Sequence, residues 1–188
     1  MEYELVYLPE KQWKGTVIPM RYTTEEYYDI QMEEKEEGYQ IRLQKRKADP
    51  PIFHYPEEYE FPDKLYQSHW EKASAWGIVD EKGGKRELLA CIETCPEEWS
   101  NRLVITELWV HETMRRQGVG HQLMEIAKEQ ARRENRRAVI LETQSCNTGA
   151  IAFYRKEGFR LIGFDSCCYS NQDVQRREVR LDMGYFLD

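Results

Sequence analysis

The sequence predicts an α/β fold in which a mixed, mostly antiparallel central sheet carries helices on both faces. Three strand-like runs follow one another between residues 73 and 110, with turn residues between them, which is typical of an antiparallel meander. The third of these runs, which begins at residue 102, leads through a glycine-containing turn into an amphipathic helix. Together these observations favour a sheet with flanking helices within a single domain spanning residues 1–188.

The first 69 residues are predicted to contain short strands, a helix and an irregular segment. Apolar runs at residues 4–9 and 16–20 are candidate strands. Thr24 is a helix-start residue followed by early acids, which predicts a helix reaching about Lys35. Residues 48–62 carry four prolines among aromatic residues, a composition that resists regular structure, so we expect an ordered, irregular segment there.

The remaining elements follow from hydrophobic periodicity. The meander consists of strands at residues 73–80, 87–94 and 102–110, with a hairpin turn at 82–85 between the first two. A helix begins at Val119, because five apolar residues share one face of it, namely Val119, Leu123, Ile126, Ala127 and Ala131. Four further elements are a strand at 138–142, a helix at 149–156 and strands at 161–169 and 178–186.

Composition excludes several functional classes. No apolar run approaches the roughly 18 residues that a membrane span needs, and the first residues lack the pattern of a secretory signal, so we expect a cytoplasmic protein. The five cysteines form an odd set without Cys-x-x-Cys spacing, which favours reduced thiols. The four histidines share no metal-ligand spacing with one another or with the cysteines, so no metal site is expected.

Charge is distributed unevenly along the chain. Residues 1–100 hold 13 Lys/Arg against 22 Asp/Glu, a net charge of −9, whereas residues 101–188 hold 14 against 12, a net charge of +2. This division suits an enzyme that binds a polyanionic cofactor on one side and attracts a cationic amine on the other. The alternative is that the glutamate-rich segments of the acidic half are solvated faces that keep the protein soluble, which is their usual role. Neither nucleic acid nor a membrane is an expected partner.

The turn between residues 110 and 119 predicts an anion site. Glycines lack a Cβ, so backbone amides can approach a ligand closely where the helix begins. The positive end of the helix dipole favours phosphate there, and two arginines add charge-assisted donors. A pyrophosphate group is the expected ligand. The turn consists of Arg115, Arg116, Gln117, Gly118, Val119 and Gly120.

This turn matches neither the Walker A loop nor the dinucleotide fingerprint, because positions 118–123 read Gly-Val-Gly-His-Gln-Leu. The pattern Arg115-x-x-Gly118-x-Gly120 is similar to the Arg/Gln-x-x-Gly-x-Gly/Ala signature of the GNAT superfamily of N-acetyltransferases. In that superfamily this turn holds the pyrophosphate of acetyl coenzyme A.

The resemblance continues downstream. Asn147 and residues 152–159, Ala-Phe-Tyr-Arg-Lys-Glu-Gly-Phe, resemble the second helix of the superfamily, and the whole resemblance covers about residues 70–188. Residues 141–144, 163–165 and 169–171 are most similar to streptothricin acetyltransferase-like proteins. The resemblance therefore implies a GNAT-like fold and transfer of acetyl from acetyl-CoA to a primary amine by direct attack.

The resemblance also implies roles for individual residues. Glu107 resembles the glutamate that serves as general base, although a solvent-facing strand glutamate is the alternative. Tyr154 resembles the tyrosine that protonates the departing thiolate, although core packing would also explain it. Asn147 can contact the pantetheine, cap the helix that follows it, or do both. The pantetheine arm pairs with main-chain groups of the strand before the turn, at Leu108, Trp109 and Val110.

The acceptor is less defined by sequence. Glu142, Asp165 and Tyr169 are the candidates for a cationic-amine pocket, with solvent-facing positions as the alternative, and the aromatics of residues 48–62 are candidates for its wall. A streptothricin-like small molecule is the first acceptor expected, and a protein N-terminal or lysine amine is the second. A coenzyme A-binding module without catalysis is the alternative of a different class. The chain is expected to be a monomer or a homodimer.

Overall fold

The computed structural model describes residues 3–55, 62–81 and 86–187. The chain forms two compact units: the first consists of Met1–Met20, Pro56–Leu141 and Tyr185–Asp188, and the second of Arg21–Tyr55 and Glu142–Gly184. The elements in chain order are β1 (Val6–Leu8), α1 (Glu10–Trp13), β2 (Tyr22–Lys35), β3 (Gly38–His54), β4 (Ser74–Asp80), β5 (Glu87–Glu97), β6 (Arg102–Val110), α2 (Val119–Arg133), β7 (Ala138–Gln144), α3 (Thr148–Lys156), β8 (Arg160–Asp165), α4 (Asp173–Arg176) and β9 (Arg180–Phe186).

The sheet of the first unit is mixed and mostly antiparallel. Its strands follow the order β1-β4-β5-β6-β7. The first three pairings are antiparallel, and β6 runs parallel to β7, with Arg102 opposite Ala138 and Ile105 opposite Leu141. A parallel pair needs a crossover connection, and α2 supplies it between β6 and β7. The strand-turn-helix-strand unit predicted around the glycines is thereby confirmed.

Helix α2 is held by an apolar stripe and by a buried hydrogen bond. The stripe consists of Val119, Leu123, Met124, Ala127 and Ala131, all buried. Burying a side chain of the size of leucine stabilises the fold by about 1.5–3 kcal/mol. Toward the end of the helix, the Thr94 hydroxyl of β5 donates to Oε1 of Gln130 across 2.7 Å. These contacts fix where the first turn of α2 lies relative to β5 and β6.

A second cluster of buried residues lies around the start of the chain. It comprises Leu8, Trp13, Ile18, Leu65, Tyr66, Ala75, Cys91 and Trp109. Within it the Tyr66 hydroxyl donates to the carbonyl oxygen of Leu8 and accepts from the Ala75 amide, the latter across 3.0 Å. The loop that contains Tyr66 is thus attached to both β1 and β4.

The second unit contains a long hairpin, a helix and an antiparallel strand pair. β2 pairs with β3 from Tyr22 opposite His54 to Lys35 opposite Gly38, with an irregularity on the β3 side between Lys47 and Ile52. The Tyr28 amide donates to the carbonyl oxygen of Ser145, 2.9 Å away, which ties the hairpin to the start of α3. β8 pairs with β9 in antiparallel register.

Several predictions are confirmed and several are wrong. The strands of the meander and the helices at 119 and 149 are confirmed to within a few residues. The predicted helix from Thr24 is wrong, because those residues form β2. The irregular segment is wrong for residues 48–54, which belong to β3, and residues 56–61 lie outside the described ranges, as does the predicted turn at 82–85. The strand predicted at 161–169 ends at Asp165.

Among the helices in the described ranges, none has the length and apolar character that crossing a bilayer requires.

Candidate active site

The turn that follows β6 is held in shape by side chains bonding to its own backbone. Arg115 donates from Nε to the carbonyl oxygen of Val110 across 3.1 Å, and Gln117 donates from Nε2 to the carbonyl oxygen of Thr113 across 2.7 Å. Arg116 and Gly118 both lie in the left-handed region, with φ of 61° and 82°. A Cβ on Gly118 would meet no atom within 4 Å, so its backbone angle, rather than lack of space, requires glycine.

The first turn of α2 has no side-chain cap. Gly118 is the N-cap residue and accepts the amide of Gln122 through its carbonyl, 3.1 Å away. The amides of an opening helical turn have no partner within the helix, and a glycine cap offers none. Val119 is buried on the sheet side, whereas the arginine side chains at 115 and 116 are exposed. Main-chain donors, the helix dipole and two cations therefore favour an anion at one place.

The predicted pantetheine strand presents its backbone rather than its side chains. Trp109 is buried in the cluster with Leu8 and Tyr66, while Leu108 and Val110 are half-buried. The parallel register with β7 occupies residues 102–105 of β6, and residues 108–110 lie beyond these four pairs. The Trp109 side chain is committed to packing, so a ligand beside this strand would meet main-chain groups.

A β-bulge lies in β6 beside the predicted base. Glu107 lies opposite Glu93, yet the next pair is Ile105 with Thr94, so Thr106 is an extra residue on β6. Bulges redirect side chains and are over-represented next to active sites. Glu107 is only 6% exposed, which rules out the solvent-facing alternative.

The sequence reasoning missed Glu93, the cross-strand neighbour of Glu107. Its side chain is fully buried and accepts two hydrogen bonds, from the Thr106 hydroxyl at 2.8 Å and the Tyr66 amide at 2.5 Å. Burial raises the pKa of the Glu93 carboxyl, and these two hydrogen bonds offset part of that rise. A glutamate inside the otherwise uncharged run at residues 88–95 was the available signal, because buried acids need partners.

Two cysteines, Cys91 in the first unit and Cys146 in the second, are fully buried. Burial raises the pKa of the Cys91 thiol well above its ordinary value, and the nearby carboxylates of Glu107 and Glu93 raise it further. Cys146 is fully buried and lies 3.3 Å from the Tyr22 hydroxyl. The surroundings of Cys91 therefore disfavour the thiolate that covalent acyl transfer through this cysteine would require.

In the second unit, Asn147 caps α3. Its Oδ1 accepts the amide of Ala150 across 3.2 Å, as an N-cap side chain does. The capping role of Asn147 is therefore confirmed, and a contact of Asn147 with pantetheine stays a prediction.

Tyr154 lies on the buried side of α3. Its side chain is 8% exposed, and its ring lies 5.7 Å from that of Phe153 and 6.2 Å from that of Phe159, centroid to centroid. Three aromatic rings in contact fix the orientation of the phenol, and packing is thus part of its role. The core-packing reading is confirmed, and proton donation stays a prediction.

The predicted acceptor residues of the second unit meet cationic and local partners. Arg180 forms an ion pair with Glu142 at 2.8 Å and lies opposite Asp165 in the register of β8 and β9. The Asp165 carboxylate accepts the amide of Cys167 at 2.9 Å, a bond that lowers its pKa. Tyr169 lies beyond the end of β8, so its predicted place in that strand is wrong.

Arg180 is a further residue that sequence reasoning missed. Besides Glu142 it bonds the Asp182 carboxylate at 2.8 Å and the Cys168 sulfur at 3.4 Å. Burial disfavours its charged form, but its hydrogen bonds to Cys168 and Asp182 raise its pKa overall. Because its guanidinium already neutralises part of this acidic cluster, a cationic amine would meet less negative charge here than Glu142 and Asp165 alone would provide.

The two compact units divide the predicted residues between them. The first holds Glu107, the strand residues 108–110 and the turn at residues 115–120, whereas the second holds Glu142, Asn147, Tyr154, Asp165 and Tyr169.

Comparison with known proteins gives consistent matches. The model of the acetyltransferase (GNAT) family matches residues 24–159. The chain is 26% identical over 179 residues to a streptothricin acetyltransferase of Escherichia coli, an alignment that covers 95% of this chain and 93% of the relative.

Two solved structures match along nearly the whole chain. The crystal structure of a nourseothricin acetyltransferase has a TM-score of 0.72 at 22% identity, with 99% of each chain covered. That of a putative streptothricin acetyltransferase from Bacillus anthracis, in complex with acetyl coenzyme A, has a TM-score of 0.70 at 20% identity, covering 100% of this chain and 99% of the other. At these identities the likeness shows the fold, and the predicted mixed, mostly antiparallel sheet with flanking helices is confirmed.

Proposed function

The chain belongs to the acetyltransferase (GNAT) family, and from this membership we propose that it transfers acetyl from acetyl-CoA to a primary amine of a streptothricin-like small molecule. The observation that carries the proposal is the uncapped first turn of α2, preceded by Arg115 and Arg116 and shaped by the left-handed Gly118. Such a turn suits the diphosphate of the donor, which carries negative charge at neutral pH.

The arrangement of the first unit supports a specific mode of donor binding. The diphosphate would lie on the amides of Val119 and Gly120, with the two arginines and Gln117 beside it. The pantetheine arm would extend along the backbone of residues 108–110, in the manner of an added strand. The main-chain amide of Leu108 is the proposed donor to the thioester carbonyl oxygen, where negative charge develops during attack.

Transfer then needs a base for the acceptor ammonium and an acid for the departing thiolate. Glu107 would take a proton from the acceptor ammonium, directly or through water, and its burial beside the bulge keeps the carboxylate out of bulk solvent. The amine lone pair attacks the thioester carbon, and the C–S bond breaks as the tetrahedral intermediate collapses. Tyr154 would give its phenolic proton to the departing thiolate, and the second proton that the attacking nitrogen loses as it becomes an amide would restore the phenol, directly or through water. The family resemblance assigns both roles, and the products are an amide and free coenzyme A.

The acceptor class is proposed from the streptothricin acetyltransferase of E. coli, which aligns along nearly the whole chain. Acetylation of such an antibiotic would make the protein a resistance enzyme. The acidic first hundred residues would attract a cationic acceptor of this kind.

The test is acetyl transfer by the purified protein to a panel of amines. The panel contains streptothricin, a peptide with a free N-terminus, and a peptide with a blocked N-terminus and one lysine, with Glu107→Gln as the control enzyme. We expect acetylated streptothricin by mass spectrometry, equimolar release of coenzyme A, and at least about a hundredfold less product with the variant. Acetylation of a peptide alone would move the acceptor class to proteins, and donor binding without any product would leave a coenzyme A-binding module.

A further inference from the structure

The hairpin of β2 and β3 has one apolar face and one polar face. Directly opposite residues of an antiparallel pair share a face, and faces alternate along each strand. One face carries the pairs Tyr28–Lys45, Ile30–Leu43, Met32–Ile41 and Glu34–Tyr39. The other carries Asp29–Gln44, Gln31–Arg42 and Glu33–Gln40, which are all polar.

The apolar face continues beyond the part that the second unit covers. Near the base of the hairpin Ile30 is buried, whereas Met32, Ile41 and Tyr39 are 52%, 50% and 76% exposed. Every residue from 31 to 42 is exposed. Contiguous exposed apolar side chains of this kind mark interaction sites. We name residues 31–42 the arm.

An apolar groove lies at the base of the arm, on the same face of the hairpin. Tyr28 and Leu43 form its hairpin side, and Phe159 and Leu161 contribute apolar surface from the rest of the second unit. Its volume is about 320 Å³, and Arg155 and Arg160 also line it. The exposed stripe on the arm and the groove therefore form one continuous apolar surface.

The arm and the groove are complementary in charge. The end of the arm carries Glu33, Glu34, Glu36 and Glu37 with a single Lys35, and Glu34 lies on the apolar face opposite Tyr39. The groove carries the two arginines. A surface that offers apolar residues with glutamates matches one that offers apolar residues with arginines, and both belong to every copy of the chain.

Their spacing suits a twofold symmetric pair. From the Ile30–Leu43 pair to the Lys35–Gly38 pair each strand advances five residues, or about 17 Å at 3.4 Å per residue. Two arms laid with their apolar faces together and running in opposite directions would each bring its acidic end to the base of the other, where the groove lies. Such a contact is closed and uses the same surface twice, as a twofold interface requires.

We infer that the chain forms a homodimer in which each arm docks its apolar face, with Glu34, in the groove of a second copy. Met32, Tyr39 and Ile41 of one copy lie against the apolar groove residues of the other, and Glu34 pairs with Arg155. This assignment concerns a surface separate from the turn at residues 115–120 and does not depend on the acyl transfer reaction.

The first test compares two substitutions that add the same charge to opposite faces of the arm. Ile41→Glu lies on the apolar face and its neighbour Gln40→Glu on the polar one, and both positions are exposed, so neither disturbs a core. By sedimentation velocity the wild type should have twice the 22.6 kDa mass of the chain. Ile41→Glu should weaken the dimer at least about a hundredfold, because two symmetric contacts are lost, and Gln40→Glu should leave it intact.

The second test exchanges charges between arm and groove. Glu34→Arg and Arg155→Glu should each weaken self-association, whereas an equimolar mixture should form a mixed dimer in which both charge pairs are restored, detected by native mass spectrometry. Three results would overturn the inference: a wild-type monomer at about 100 µM, equal effects of the substitutions at 40 and 41, or no mixed dimer.

Discussion

At the scale of single residues, the candidate site in the first unit has two buried carboxylates on neighbouring strands. Glu93 and Glu107 lie opposite each other at a bulge, and only Glu107 was expected from sequence. The hydrogen bonds of Glu93 join three separate segments: its own strand, the bulge at Thr106 and the loop at Tyr66. We interpret Glu93 as a residue that positions the bulge, and thereby Glu107.

The stability contributed by Glu93 should depend on pH with a definite sign. Burial raises its pKa, so between the ordinary value of 4.5 and the raised one the folded protein holds a proton that the unfolded chain has lost. Stability from this group is therefore full below that window and falls as pH rises through it. Glutamine does not titrate, so the free energy of unfolding of Glu93→Gln minus that of the wild type should rise with pH. Urea titrations from about pH 4 to about pH 8 measure this difference.

Glu97 serves as the matched control, because its pKa is shifted in the other direction. Burial acts to raise that pKa, but hydrogen bonds from Ser100 and Arg102 lower it overall. The wild type therefore gains stability as Glu97 ionises. The free energy of unfolding of Glu97→Gln minus that of the wild type should consequently fall as pH rises. Equal pH dependence of the two variants would contradict the account of Glu93.

Tyr154→Phe separates proton donation from packing. The substitution keeps the ring against Phe153 and Phe159 and removes only the hydroxyl. We expect kcat to fall by about a hundredfold with acetyl-CoA affinity within about twofold of wild type, since an acid acts on the departing thiolate rather than on binding. Steady-state kinetics with calorimetry measures both, and Tyr7→Phe, at an exposed tyrosine, is the control. Normal turnover would remove Tyr154 from the reaction.

Some of these residues could be predicted from sequence and others could not. Gly118 and Tyr154 stand in local motifs, so a resemblance of a few residues located them. Glu93 is recognised only through its partners Thr106 and Tyr66, which lie 13 residues after it and 27 before it. Arg180 likewise meets Glu142 from a strand far along the chain.

At the scale of elements, the turn before α2 depends on backbone conformation more than on side chains. An alanine at Gly118 would have open space but an unfavourable φ of 82°. Gly118→Ala should therefore lower the free energy of unfolding by about 1–2 kcal/mol and weaken coenzyme A binding. Denaturant titration measures the first effect and calorimetry the second.

Gly149→Ala is the matched substitution, because Gly149 lies in the first turn of α3 with equally open space and no positive φ. Alanine there should raise stability by about 0.5–1 kcal/mol. If both glycine variants changed stability in the same direction, the left-handed geometry of the turn would not be the reason for Gly118.

The elements also show where periodicity sufficed and where it misled. Helix α2 was predictable because its apolar stripe repeats over 15 residues. At residues 22–35 the cap-like Thr24 and early acids favoured a helix, yet Tyr28, Ile30 and Met32 alternate with polar residues, and β3 offers a complete partner strand. Pairing with β3 therefore determined that these residues form a strand. The local sequence around Thr24 carries no information about that partner strand.

At the scale of the whole molecule, the sheet and helices of the first unit place the turn at residues 115–120 at the start of a buried helix. Residues 21–55 fold with residues 142–184, a pairing over a long stretch of sequence that no local pattern predicts. The strand pairing of the meander, by contrast, could be predicted from the order of its strands in the sequence, because consecutive strands usually pair. The account of function rests on the first unit, where the turn expected to hold an anion leads into a helix start without a side-chain cap.

Calorimetric titration of coenzyme A and of pantetheine, into wild type and Gly120→Glu, tests this claim most directly. Pantetheine shares the thiol arm but lacks the diphosphate, and the substitution adds bulk and negative charge to the first turn of α2. We predict that the wild type binds coenzyme A at least about a hundredfold more tightly than pantetheine, and that Gly120→Glu abolishes this preference while pantetheine binding persists. Equal affinities for the two ligands, or no heat from coenzyme A with folded wild type, would contradict the account.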